Sequence, residues 1–205
     1  LLVKDRGEKE VVEKSCKDLV KSGLPKFYAY HLAKIQQFYL EEMNFSPDLF
    51  RLYQLDDKEK AFYNKFHFDI EVKLNGHGFT EMGGLHYRTD HDLKGHQKVS
   101  KQKMVVSDDV SGDKFIPHVL ELSFGVDRNV YALLDLNYSD GKGRGNVVLS
   151  LPSNVTPFYC AVFPLVKNKE LVLNKSKEVY SMLRKDFSTL FDITGSVGRR
   201  YARAD

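Results

Sequence analysis

Two clusters of side chains carry most of the chemistry this sequence could perform. The first is Glu121-Leu122-Ser123-Phe124-Gly125-Val126-Asp127-Arg128, which packs a carboxylate, a hydroxyl, a glycine and an arginine into eight residues. The second is Glu81-Met82-Gly83-Gly84, followed by Arg88, Asp90 and Asp92. Carboxylates bind ammonium groups, and arginine offers phosphate or carboxylate oxygens a planar fork of donors. For the second cluster the plain alternative is a set of surface ion pairs, which contribute little energy. The first cluster has a context that favours anions. β-branched and aromatic residues between positions 115 and 121 precede it, and Val130, Leu133 and Leu134 follow at spacings of three and four. That pattern predicts a strand turning into a helix, where unpaired backbone N–H groups and the positive helix end face outward.

Other chemistries find less support. His86, His91 and His96 recur every five residues, a spacing that does not stack ligands on one helix face, and no metal site is expected from them. No P-loop, no Gly-x-Gly-x-x-Gly and no Ser-His-Asp order is present. Cys16 and Cys160 stand far apart without any Cys-x-x-Cys. This excludes a cysteine-rich zinc site, argues against a disulfide framework and favours a reducing compartment.

The elements that position these residues follow from periodicity. Residues 8–22 and 25–42 read as two helices broken at Gly23-Leu24-Pro25, covering one face of a sheet. Phe66, Phe68, Ile70, Val72 and Leu74 alternate with charged or polar residues, a strand with one wet face. Asn75-Gly76-His77-Gly78 is a turn, and residues 79–87 return as its hairpin partner. Residues 101–106 and 115–122 suggest a second strand pair around a polar loop. Consecutive hairpins predict an antiparallel sheet, hence an α+β fold. Residues 137–147 form a glycine-rich, charged break. Beyond it, a strand at 158–165, a helix at 169–185, a short strand at 191–194, a turn at 195–198 and a helix start at Arg199 read as the opening of an α/β domain. We therefore expect two domains, 1–150 and 151–205.

Composition sets the outer bounds. The chain has 205 residues, 42% hydrophobic and 29% charged, as in water-soluble globular proteins. It contains no apolar run of about 18 residues, so no membrane span or membrane partner is expected. The first residues are too charged for a secretory signal. The absence of an initiating Met suggests a chain cut from something longer. A net charge of +3 permits nucleic-acid contact without arguing for it.

The residues say more than the patterns. The run Glu121, Ser123, Gly125, Arg128 resembles motif 3 of the class II aminoacyl-tRNA synthetases, in the version of the glycyl-tRNA synthetases, where a strand ends in Glu-Pro-Ser before a Gly and an Arg that open a helix. Leu122 stands in place of the Pro. Some thirty residues earlier, Glu81-x-x-Gly84 and Arg88-Thr89-Asp90-His91-Asp92-Leu93 are similar to a second linked element of that family. A loop before them agrees at Glu59, Ala61, Tyr63 and Asp69 but has Leu55 and Phe62 where the family has His. Residues 156–165 resemble the first strand of the family's anticodon-binding domain. Gly195-Ser196-Val197-Gly198-Arg199-Arg200-Tyr201-Ala202-Arg203-Ala204-Asp205 is similar to a later segment of it.

The resemblance implies the C-terminal part of a class II antiparallel sheet with flanking helices, followed by an incomplete α/β anticodon-binding domain. It implies a cytoplasmic parent enzyme, a homodimer, that joins glycine to ATP and transfers it to tRNA(Gly), using Mg²⁺. Arg128 and Glu81 are then the catalytic residues. Glu81, Met82, Gly125, Val126, Asp127 and Arg128 would meet ATP. Glu121, Leu122, Ser123, Phe124, Gly125 and Arg88 would form the glycine pocket, and Arg199, Arg200 and Arg203 would face tRNA. Neither motif 1, for dimerisation, nor motif 2, with its α-phosphate arginine, can be found, so these 205 residues alone are expected to be inactive. The competing reading is a non-catalytic synthetase-like accessory or RNA-binding protein. The missing motifs, Leu122, Leu55 and Phe62 favour it, and the retained Glu81, Glu121, Ser123 and Arg128 oppose it.

Overall fold

The computed structural model describes residues 1–5, 10–141, 143 and 145–205. It divides into two compact units, Leu1–Ala132 and Leu133–Asp205.

The first unit is built on a six-stranded sheet. Its elements are β1 (Leu2–Asp5), β2 (Val12–Glu13), α1 (Cys16–Lys21), α2 (Lys26–Gln37), β3 (Phe50–Gln54), β4 (Phe66–Leu74), β5 (Gly78–Thr89), α3 (His91–Ser100), β6 (Val106–Ser107), β7 (Lys114–Phe115), β8 (Val119–Phe124) and α4 (Val126–Asn137). The strand order is β2-β1-β3-β4-β5-β8, and every pairing is antiparallel except β1 with β3. The expected antiparallel α+β architecture is therefore present.

Alternation along β4 sorts the sheet into two faces. Phe68, Ile70 and Val72 are wholly buried, and α2 lies over them with Tyr28, Ala29, Leu32 and Ile35 inward. The Tyr28 ring is 5.8 Å from that of Phe68, and its hydroxyl donates to the Leu85 carbonyl, which satisfies the polar tip of a buried ring. Each such side chain contributes about 1.5–3 kcal/mol through burial. The opposite face carries His67, Asp69 and Glu71 on β4. A bulge on β5 sets what faces them, because Ile70 pairs with Gly83 while Glu71 pairs with Glu81. The extra residue, Met82, drops into the core and leaves Glu81 and Gly84 on the polar side.

Several local expectations are corrected. Of the first predicted helix, residues 8 and 9 lie outside the described residues, and Val12–Glu13 is a strand. The helix starts only at Cys16, because the Ser15 hydroxyl accepts from the Asp18 N–H at 3.1 Å and caps it there. The second predicted helix runs regularly to Gln37 and ends in a wider π turn at Phe38–Glu42. The strand predicted at 101–106 survives only at Val106, since Lys101 closes α3 in the left-handed conformation (φ 63°). α3 itself escapes the sequence reading, because only Leu93 and Val99 among its residues are large and apolar and Gly95 interrupts it. The single strand predicted at 115–122 is broken around Pro117. Phe115 pairs with Val106, whereas β8 joins β5.

The second unit holds a two-stranded pair, β9 (Tyr138–Ser139) with β10 (Val148–Leu149), and a βαβ crossover of β11 (Cys160–Val162), α5 (Glu170–Leu183) and β12 (Thr189–Phe191), followed by α6 (Val197–Ala204). β11 and β12 are parallel. The predicted strand 158–165 shrinks to three residues between Pro157 and Pro164, neither of which can donate to a ladder. Phe158 and Tyr159 are exposed rather than buried. Ser196 caps α6 through the Arg199 N–H, which takes Val197 and Gly198 into the helix. Among the described residues no helix is long and apolar enough to cross a membrane.

Candidate functional site

The polar face of the first unit's sheet gathers most of the residues singled out from the sequence. β8 lies beside β5 with Gly84 opposite Ser123 and His86 opposite Glu121. Alternation turns Glu121 and Ser123 to the same face as His67, Asp69, Gly84, His86 and Arg88. Leu122 and Phe124 point the other way, and Phe124 packs its ring 6.2 Å from Phe38 and 6.3 Å from Tyr39. The side chains of Leu122 and Phe124 therefore do not line the polar face, whereas those of Glu121 and Ser123 do.

Arg88 is locked in place. Its Nε and Nη2 donate to the two carboxylate oxygens of Asp92 at 2.7 and 2.8 Å, and its Nη1 donates to Glu121 Oε2. The guanidinium also lies 4.4 Å over the Tyr63 ring, a favourable cation–π position. Bonds to Asp92 and then Glu121 hold the arginine's proton more firmly than usual, and the same arginine draws the Asp92 carboxyl below its ordinary range. An arginine held at both ends fixes the direction of the Glu121 carboxylate, whose side chain remains 38% exposed. The result is an oriented carboxylate open to a ligand.

The strand–helix joint forms the second part. Gly125 N donates to the Met82 carbonyl at 2.8 Å, which ties the start of α4 to the bulge of β5. Asn129, unnoticed in the sequence, reinforces the tie. Its Nδ2 donates to Met82 O at 3.0 Å and Gly125 O at 2.9 Å, while its Oδ1 accepts from the Tyr39 hydroxyl at 2.6 Å. An asparagine four residues after a joint glycine was the available signal, and an unremarkable one. Met82 thus serves through its backbone, its side chain being wholly buried. Val126 and Asp127 occupy the first turn of α4.

Arg128 reaches back over the joint. Its Nη1 donates to Glu81 Oε2 at 3.1 Å and to Glu81 O at 3.0 Å. Both side chains are about half exposed, 56% and 50%, and such an ion pair is worth about 0–1 kcal/mol. Glu81 faces Glu71 directly across the ladder. The repulsion is relieved because Glu71 pairs with Arg51 and Glu81 with Arg128. The contrast with Arg88 is one of mobility: Arg128 can exchange its partner at little cost.

Close packing makes the two strands' approach possible. A Cβ on Gly83 would lie 2.3 Å from the Ser123 carbonyl oxygen, so β5 and β8 can hold this register only with glycine there. In the second unit the three predicted arginines differ. Arg200 is buried, with Nη1 donating to Pro164 O and Nη2 to Gly195 O at 2.8 Å. Arg203 pairs with Asp192 and donates to Thr194 O. Arg199 is exposed.

Comparison with known proteins places this arrangement. No family model matches the chain. A solved structure, prolyl-tRNA synthetase of Giardia lamblia in complex with prolyl-adenylate, superimposes with a TM-score of 0.63 at 13% identity, covering 94% of this chain and 36% of that one. The chain thus has the antiparallel sheet and flanking helices of a class II aminoacyl-tRNA synthetase fold. In sequence it matches glycine–tRNA ligases. That of Mesoplasma florum is 33% identical over 87% of this chain, that of Clostridium tetani 36% over 82%, and that of Aeropyrum pernix 28% over 98%. The chain is a relative of the glycine–tRNA ligases, and it spans 40%, 36% and 47% of the length of those three.

Proposed function

We propose that the polar face of the sheet is one wall of a glycine-activating site, and that the full-length protein carrying this chain is a glycine–tRNA ligase. The observation that carries the proposal is the presence, at one sheet face, of an oriented, accessible Glu121 carboxylate and, further along β5 at Glu81, a loosely held Arg128. In this reading Glu121 and Ser123 take the glycine ammonium through charge-assisted bonds. Arg88 acts through Glu121, keeping its carboxylate aimed. Arg128 releases Glu81 and takes phosphate oxygens of ATP, for which its fork is suited. Gly125, Val126 and Asp127 bring backbone at the start of α4 to the nucleotide.

The reaction is attack by a glycine carboxylate oxygen on the α-phosphorus, with pyrophosphate leaving and glycyl-adenylate formed. Positioning and cationic stabilisation of phosphate charge do most of the work. Glu81, half exposed and only loosely paired with Arg128, is a hard oxygen ligand that would suit Mg²⁺ shared with phosphate oxygens, while Glu71 opposite it stays paired with Arg51. When bound, that ion supplies positive charge to the phosphates.

Residues 1–150 would belong to the catalytic domain and 151–205 to the start of an anticodon-binding domain. There Arg199 and Arg203 are the exposed arginines for tRNA(Gly), while Arg200 holds the fold. A second copy of the full-length protein and a cytoplasmic setting complete the reading.

The test is glycine-dependent ATP–pyrophosphate exchange by the full-length protein. Arg128→Ala is expected to cut exchange by orders of magnitude, and unchanged exchange would overturn the assignment. The 205-residue chain alone is expected to show none.

A further inference from the structure

Beside Glu121 and Ser123, the polar face carries a half-buried histidine cluster that the proposed reaction leaves unexplained. His67 and His86 are cross-strand partners with ring centroids 4.0 Å apart. His86 leans along β5 over Gly84. A Cβ built on Gly84 would lie 2.6 Å from His86 Nε2 and 3.2 Å from His67 Nε2. Since Gly84 pairs with Ser123 and His86 with Glu121, the His86 ring fills the sheet face directly alongside both residues.

The ring is flanked on two sides. Asn64, itself buried, contacts His86 Nδ1 through Nδ2 at 3.3 Å, and His67 closes the other side. His67 Nε2 lies 3.0 Å from Asp69 Oδ1, and its Nδ1 has no hydrogen-bond partner among the described residues. Asn64 Oδ1 likewise has none. Burial, and next the neighbouring His67, push the His86 ring below its ordinary titration range, so it stands neutral beside the position proposed for an ammonium group.

We propose that His86, backed by His67 and Asn64, is a specificity-determining residue of the amino-acid pocket: its ring occupies the space over Gly84 that any substrate side chain would need. This rests on the reading of Glu121 and Ser123 as the ammonium site. Glycine fits because it has no side chain. Alanine meets an imidazole flanked by Asn64 and His67.

The test is ATP–pyrophosphate exchange by the full-length protein with glycine and with L-alanine, for wild type, His86→Ala and Gly84→Ala. One carbon in a pocket is typically worth about 10–200-fold in discrimination. His86→Ala is therefore expected to lower the glycine-to-alanine ratio of kcat/KM at least about tenfold, with alanine turnover rising in absolute terms. Gly84→Ala should drive the ring into the pocket and raise KM for glycine without admitting alanine. If His86→Ala does not fold, by circular dichroism, His67→Ala carries the same expectation, because it lets the ring withdraw. An unchanged ratio in a folded variant with glycine turnover intact overturns the inference alone. Absence of glycine-dependent exchange in wild type overturns the proposed function first, and the wild-type control reads that separately.

Discussion

The approach of β5 to β8 across Gly83 is the tightest backbone contact near the site, and it can be tested by adding one carbon. In Gly83→Ala the new Cβ would sit 2.3 Å from Ser123 O and 3.2 Å from Phe124 Cα. These are backbone atoms in a paired strand, so neither can swing aside as a flexible side chain would. Relief requires β8 to move by about an ångström, which overpacking data put at about 1–3 kcal/mol. Stretching a ladder hydrogen bond adds about 1 kcal/mol, bringing the expected loss to about 3 kcal/mol. For a chain of this size that corresponds to a fall in Tm of roughly 10 °C.

Gly95→Ala is the matched control. Gly95 lies inside α3 with nothing near the position of its Cβ, so alanine should stabilise by about 0.5–1 kcal/mol through helix propensity. Urea unfolding followed by far-ultraviolet circular dichroism, with the slopes compared before the midpoints, measures both. The variants should differ by about 4 kcal/mol, the sum of the loss and the gain. If Gly83→Ala is as stable as Gly95→Ala, the close approach argued for the β5–β8 register is wrong.

Two further outcomes follow from the charged groups. Arg88→Lys keeps a positive charge but cannot bond Asp92 through two nitrogens while holding Glu121. The glycine concentration giving half-maximal exchange should rise about tenfold, or roughly 1.4 kcal/mol, and an unchanged value would show that Glu121 needs no orienting partner. For pH, the folded state depresses the His86 pKa, so the unfolded chain binds this proton more readily. The stability associated with keeping His86 neutral is present above about pH 6.5 and declines as pH falls below it. Replacing His86 by Gln should flatten that part of the pH–stability curve between pH 7.5 and 5.5. An identical curve would mean that the ring is not desolvated as described.

The amount legible in the sequence depended on how local each signal was. Alternation of Phe68, Ile70 and Val72 with charged neighbours predicts β4 and its two faces. The strand–helix joint at Gly125 is equally local, and the ordered matches at Glu81, Arg88, Glu121, Ser123 and Arg128 point to one family. Side-chain pattern also says which elements meet water. It cannot say which turns interrupt them: α3 has only Leu93 and Val99 among polar residues and a glycine, and Pro117 splits a run that reads as one strand.

How distant residues face one another is fixed by the packing of strands. Period two along β8 separates Glu121 and Ser123 from Leu122 and Phe124, but only the pairing with β5 puts His86 and Gly84 next to them. The bulge at Met82 is the clearest case. One extra residue in β5 sends Met82 into the core and Glu81 to the polar side, and no local pattern shows it, because the bulge exists only relative to the partner strand. Arg200 makes the same point in the second unit, where burial against Pro164 and Gly195 turns an arginine that reads as an RNA contact into a bracket for backbone carbonyls. Residue types are local facts and are written in the chain. Registers, and the partners they create, are relations between segments, and those are settled only when the strands pack.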